Sequence, residues 1–171
     1  MRDALRLLLP VLGLLALVPV LLPFAASAAE PAALFAHPVV DADGKPIDVA
    51  ALKGKVVLFD IWATWCEPCR ASLPVYEDLS KRFGPKGFAV VAVSVDESAD
   101  TLRDFVKKAG FTFLVGWDPK GEWPQRMKLE VMPTAWLIGR DGTVQKALPG
   151  FDADEVPALT KAIEALLAQA P

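Results

Sequence analysis

The 171-residue chain holds two cysteines and one histidine. So few cysteines exclude a fold stapled by several disulfides, the usual device of small exported domains. The lone histidine, His37, leaves the cysteines short of ligands for a four-coordinate zinc site, since only carboxylates remain to complete it. An excess of basic charge is also missing: 18 Lys and Arg stand against 21 Asp and Glu, for a net charge of −3 with no long run of either sign. Nucleic-acid binding lacks its electrostatic footprint. There is no internal repeat or low-complexity tract, and the length suits one domain with its own core rather than two.

Apolar residues are abundant, at 53%, and they crowd into the first thirty positions, MRDALRLLLPVLGLLALVPVLLPFAASAAE. Two arginines precede an apolar run from Leu7 to about Ala26, and Ala26-Ser27-Ala28 fits the A-x-A cleavage pattern. Residues 1–28 are therefore expected to be an export signal. The run approaches the roughly 20 residues that span a bilayer, while Pro19 and Pro23 break a helix where a signal peptidase would cut. A cleaved signal peptide and a retained membrane anchor through residues 7–26 both stand, and either places the protein in the periplasm or its equivalent. No cysteine near the leader offers itself for lipid attachment. A Pro/Ala linker over 29–33 then leads into a domain expected over 34–171.

Within that domain, Asp43-Gly44 lies between short apolar segments and predicts a small hairpin. KVVLFDIWA, Lys55 to Ala63, reads as a strand buried on both faces. RASLPVYEDLSKRFG follows at helical spacing, with Pro74 inside it and Gly84 as its stop. The alternation continues with FAVVAVSVD (Phe88–Asp96) as a strand and a helix from Ser98 or Asp100 to Gly110. FTFLVGW is a weaker strand and GEWPQRMKLE a short helix. VMPTAWLIGRDGTVQKALPG predicts two strands joined at Arg140-Asp141-Gly142-Thr143, and DADEVPALTKAIEALLAQ a final amphipathic helix with an acidic start. This order implies an α/β fold with a central mixed sheet and helices on both faces.

Both cysteines stand at one strand-to-helix junction, Cys66-Glu67-Pro68-Cys69. As a staple the pair would do little, because a bridge closing so short a loop removes little unfolded-state entropy. As a redox couple it is well placed, since unpaired N–H groups and the dipole at a helix N-terminus stabilise a thiolate. Cys66 is then the nucleophile and Cys69, one turn in, the resolving thiol. Glu67 puts a negative charge between them, which opposes the Cys66 thiolate and favours a reductant, or else is simply solvated. Asp60, inside an apolar strand, is costly to bury. It faces a polar niche, is held protonated near neutral pH, or points to solvent at the strand edge.

Phe59-Asp60-Ile61-Trp62-Ala63-Thr64-Trp65-Cys66-Glu67-Pro68-Cys69-Arg70, with Val131-Met132-Pro133-Thr134 far downstream, resembles the thioredoxin superfamily. More narrowly it resembles the exported TlpA/ResA-type thiol:disulfide oxidoreductases, some of which serve cytochrome c maturation. The likeness runs from about Leu34 to the end and includes the leading hairpin and Gly54-Lys55. It implies a thioredoxin fold, a redox-active Cys66–Cys69 disulfide and no cofactor or metal. It also implies that Asp60 relays a proton to or from Cys69. Pro133 would be a cis-proline lying against the disulfide, turning the Met132 backbone toward an incoming substrate strand. Trp65 and Met132 would form the apolar rim of that docking surface, although Trp65 packing beside the helix is the simpler alternative. Some ResA-type proteins carry a glutamate three residues after the second cysteine; Ser72 stands there in this chain.

The resemblance thus implies an exported reductant of protein disulfides, its partners being protein disulfides or dithiols and a membrane thiol-electron donor. Two rivals remain. A peroxidase of peroxiredoxin type shares the hairpin and Gly54-Lys55, but Ile61 and Ala63 stand where its proline and threonine are expected. An assembly factor for a copper site would ordinarily add a distant histidine, which is lacking. His37 is expected in a surface loop, Trp117 and Trp123 in the core or on a partner surface, and Lys107-Lys108 on a solvated helix face.

Overall fold

The computed structural model describes residues 37–169. The leader, the linker and the expected start of the domain at Leu34 lie outside these residues. Two short strands open the fold, β1 (Val39–Val40) and β2 (Pro46–Ile47). Their turn is built as the sequence predicts. Asp41 Oδ1 accepts the N–H groups of Asp43 and Lys45 at 2.8 and 2.9 Å, and Gly44 adopts φ +76°, where a side chain would be strained.

The remaining elements are β3 (Val56–Trp62), α1 (Glu67–Phe83), β4 (Phe88–Ser94), α2 (Ala99–Ala109), β5 (Leu114–Trp117), α3 (Glu122–Arg126), β6 (Thr134–Ile138), β7 (Val144–Pro149) and α4 (Val156–Leu167). They form one seven-stranded sheet in the order β2-β1-β5-β4-β3-β6-β7. β3, β4 and β5 run parallel and every other pairing is antiparallel, so the sheet is mixed as expected. β3 is an interior strand between β4 and β6 with all seven residues buried, which explains its nearly unbroken apolar run.

Helix boundaries follow local chemistry. Ser98 caps α2, its Oγ accepting the Thr101 N–H at 3.3 Å, and Gly110 ends the helix in the left-handed region. α3 is shorter than GEWPQRMKLE implied, because Lys128 turns to φ +49° and stops the helix soon after Arg126. Buried Asp118 fixes its start by accepting the N–H groups of Glu122 and Trp123 at 3.1 and 2.7 Å. The acidic residues expected to open the last helix, Asp154 and Glu155, lie instead in a 3-10 turn (Ala153–Glu155) just before α4.

Alternation along β3 divides the core. Val56, Leu58 and Trp62 pack with Leu73, Tyr76, Leu79 and Phe83 of α1, Leu102 of α2, and Leu159 and Ile163 of α4. Val57, Phe59 and Ile61 face the other side, with Val49 and Leu52 of a 3-10 turn, Trp123 of α3 and Trp136 of β6. The carboxyl ends of β3 and β4 and the start of α1 therefore converge at one end of the sheet. Trp123 is core, as one of its two readings had it. His37 is half-buried, its Nε2 accepting from Arg126 Nη1 at 2.6 Å beside the Trp123 ring, which makes it more engaged than a free loop histidine.

Candidate active site

β3 ends at Trp62, and α1 begins at Glu67 with Cys66 as its N-cap residue. The four residues between, Ala63 to Cys66, form a tight turn in which the Cys66 N–H donates to the Ala63 carbonyl at 3.2 Å. Cys66 has extended backbone angles, and its Sγ accepts the N–H of Cys69 at 3.3 Å. That is the geometry in which a thiolate receives a helix-terminal N–H. Pro68 in the first turn costs nothing there, because an N–H at that position has no partner inside the helix.

Cys66 and Cys69 are joined as a disulfide. The two sulfurs are unequal: Cys66 is 7% exposed and Cys69 is fully enclosed. Trp65 beside them is 67% exposed, which rules out simple packing against the helix, and Val131 across the cleft is also exposed. Met132-Pro133 is a cis peptide, and the Met132 carbonyl oxygen lies 3.9 Å from Cys66 Sγ. Thr134 Oγ1 donates to the Val131 carbonyl at 2.6 Å, and Gly150 N–H to that of Pro133 at 2.7 Å, so this loop is anchored to β7's far end. Sites 66 residues apart in sequence are thereby brought into contact. Glu67 is exposed on the first turn of α1.

Asp60 does not face solvent. It is 0% exposed, and neither carboxylate oxygen has a hydrogen-bond partner among the described residues. Its position on β3 puts it on the face of Leu58 and Trp62, toward α1. The register sets small residues on either side, Ala92 of β4 and Ala135 of β6. Burial alone pushes its carboxyl up to about 8. Tyr76, buried on α1, is its neighbour: burial first, and then the Asp60 charge, push the phenol far above its ordinary range, while Ser72 acts in the opposite sense. Ser72 itself is buried and donates to the Cys69 carbonyl at 2.8 Å.

All the residues singled out in the sequence around this centre, Asp60, Trp65, Cys66, Glu67, Cys69, Met132 and Pro133, meet at this end of the sheet. Others went unnoticed. Asp96, just beyond β4, is buried and bonded to Thr64 in the turn before Cys66. Its signal was available: Ser94 and Asp96 are polar at alternate positions where an apolar strand ends. Tyr76 had a fainter signal, a single tyrosine two turns beyond Cys69 on an apolar helix face.

The Redoxin family profile matches residues 26–163. The thiol-disulfide oxidoreductase ResA of Bacillus thuringiensis subsp. konkukian is 33% identical over 117 residues, 68% of each chain. That of Bacillus subtilis is 36% identical over 110 residues, 64% of this chain and 62% of the relative. Among solved structures, a Chlorobium tepidum protein described as a thiol:disulfide interchange protein DsbE superposes with a TM-score of 0.73 at 34% identity, covering 77% of this chain and 93% of that one. The exposed lipoprotein thioredoxin Etrx1 of Streptococcus pneumoniae gives a TM-score of 0.64 at 28% identity, over 76% of this chain and 98% of that one. With its CxxC disulfide on a thioredoxin-like sheet, the chain belongs to the Redoxin family, among the ResA-type thiol-disulfide oxidoreductases.

Proposed function

We propose that this protein works outside the cytoplasm as a reductant of protein disulfides, with Cys66 as nucleophile and Cys69 as resolving thiol. The observation that carries the reading is the inequality of the two sulfurs. Cys66 keeps a small exposed area, next to exposed Trp65 in the chain and 3.9 Å from the Met132 carbonyl oxygen, whereas Cys69 is wholly enclosed in the core layer toward which buried Asp60 points. In the dithiol form the Cys66 thiolate, stabilised by the Cys69 N–H, attacks one sulfur of a substrate disulfide. A Cys66–substrate disulfide forms, and the other substrate sulfur leaves as a thiolate. The ionised fraction of Asp60 then takes up the Cys69 proton through water, and the Cys69 thiolate attacks Cys66 Sγ. The Cys66–Cys69 bond closes, the second substrate sulfur departs, and two electrons have passed to the substrate.

The Met132 backbone pairs with the substrate strand, Pro133 shapes that loop, and Trp65 and Met132 supply apolar contact on either side. Glu67 disfavours the thiolate and so biases the couple toward reduction. The export leader and this chemistry together call for an external source of electrons, for which a membrane dithiol carrier is the fitting class. Cysteine pairs of exported proteins, including those that must be reduced before haem attachment, are the fitting substrates.

A Cys69→Ser variant tests this reading, because it stalls the reaction at the first mixed disulfide. Capture of exported cysteine-containing proteins on Cys66 is the expected result. No capture, together with disulfide reduction that survives Cys66→Ser, would refute it.

A further inference from the structure

We propose that Asp96 is a positioning residue for the redox centre: its carboxylate fixes the Thr64–Cys66 turn so that Trp65 and Cys66 face the Met132 loop in docking order. Asp96 is 3% exposed. Oδ1 accepts the Thr64 hydroxyl at 2.7 Å and lies 3.3 Å from the Thr64 nitrogen. Oδ2 accepts that N–H at 3.0 Å and the Ser94 hydroxyl at 2.6 Å. Three donors thus converge on two oxygens, and none of the three is a cation. A group that only accepts fits this arrangement; an amide would turn N–H hydrogens toward one of the donors.

The frame behind the carboxylate is itself fixed. Asp96 N–H donates to Ser94 Oγ at 3.0 Å, and its carbonyl accepts the Trp117 indole N–H at 2.7 Å. Val95 N–H meanwhile bonds the Trp62 carbonyl at 2.9 Å, where β3 ends. Asp96 therefore ties the turn that carries the nucleophile to both β4 and β5. Trp65, next to Thr64, projects into solvent and contributes no such anchor. Burying an acidic side chain with no cation beside it among the described residues is costly, and bonding it to Thr64, two residues before the nucleophile, makes sense if orientation of that turn matters more than the cost. Orientation is needed chiefly when a substrate strand must lie along Met132 while its sulfur meets Cys66.

The proposal rests on the reductase reading, and the test separates the two. Insulin serves as the protein disulfide and 5,5′-dithiobis(2-nitrobenzoate) as a small disulfide that needs no strand docking. Thr64→Val removes the hydroxyl and leaves Asp96 in place; Thr64→Ser keeps it; Asp96→Asn alters the acceptor. Thr64→Val and Asp96→Asn are expected to lower kcat/KM for insulin about tenfold, mostly through KM, and to change the small-disulfide rate less than twofold. Thr64→Ser should restore the insulin rate, and the Thr64 amide should exchange with deuterium at least tenfold faster in Asp96→Asn. Unchanged insulin kinetics in Thr64→Val, equal losses on both substrates, or failure of Thr64→Ser to rescue would overturn the proposal. If Asp96→Asn fails to fold, the two Thr64 variants decide the matter. A wild-type protein active on the small disulfide but inert on insulin would sink the reductase reading. Deuterium exchange, carried out on Thr64→Val through the Trp65 and Cys66 amides, would still decide the clamp.

Discussion

Replacing Asp60 with asparagine should stabilise the folded protein at neutral and alkaline pH, and the gain should disappear in acid. The carboxyl titrates at about 8 in the folded chain against an ordinary 3.8, because burial penalises its charged form. A raised folded-state value means that the folded protein binds more protons than the unfolded chain between those two points. Stability is therefore full below the unfolded value and falls as pH rises toward about 8. The window spans about four pH units at about 1.4 kcal/mol each, or roughly 6 kcal/mol in all, of which about 4 kcal/mol has gone by pH 7. Asparagine escapes that penalty but leaves an amide without partners, at a cost of about 1–3 kcal/mol. The expected net gain is about 1–3 kcal/mol at pH 7 and about 3–5 kcal/mol at pH 9, turning to a small loss near pH 4. Urea unfolding of the oxidised wild type and variant at half-unit steps from pH 4 to 9 measures it. A difference that stays flat across that range would show that Asp60 is ionised throughout or free to reach solvent, and the relay role would fall with it. The same variant should slow release from the Cys66 mixed disulfide at pH 7 more than the initial attack, since only the second step removes a proton from buried Cys69.

Glu67→Gln should move the reduction potential to a less negative value by about 10–20 mV, the few-fold change in equilibrium constant that one solvent-screened charge gives; equilibration with a glutathione buffer reads it, and a shift in the other direction would remove Glu67 from the redox argument. Gly116→Ala should destabilise the fold by about 1–3 kcal/mol, because a Cβ there would stand 2.5 Å from Val39 Cγ1 and 3.1 Å from Val93 Cγ2, wedging the hairpin from β5. Urea unfolding at pH 7 that matches the wild type would show that β1 yields without cost.

What could be read from the sequence was local or carried by motif. The continuous run of β3, the capping serine and closing glycine of α2, and the Asp43-Gly44 turn each rest on residues adjacent in the chain. The cysteine pair and Pro133 were legible through the family pattern, which holds their distant pairing although no local rule does. Asp60 illustrates the boundary. Its cost of burial was plain from its neighbours, but which reading applied depended on Ala92, Ala135 and Tyr76, whose positions come from sheet register and helix packing. Asp96 was missed for the same reason: its significance lies in a bond to Thr64 across 32 residues. The early end of α3 likewise turns on one backbone angle, at Lys128, that no propensity fixes.

The two buried carboxylates have opposite surroundings, and that contrast assigns them different work. Asp60 has no donor on either oxygen among the described residues, so its proton is held by the cost of charging it, and a small change nearby can release or recapture that proton. Asp96 has three donors on its two oxygens, an arrangement that serves a group accepting throughout. A group that must exchange a proton with Cys69 on each turnover gains from the first arrangement and would be disabled by the second. A group that must hold the Cys66 turn through both oxidation states needs the second. Exchanging the environments, by giving Asp60 a donor through Ala135→Ser, should therefore lower its titration point, flatten the pH dependence of resolution and leave the insulin KM, which depends on the Asp96 clamp, unchanged.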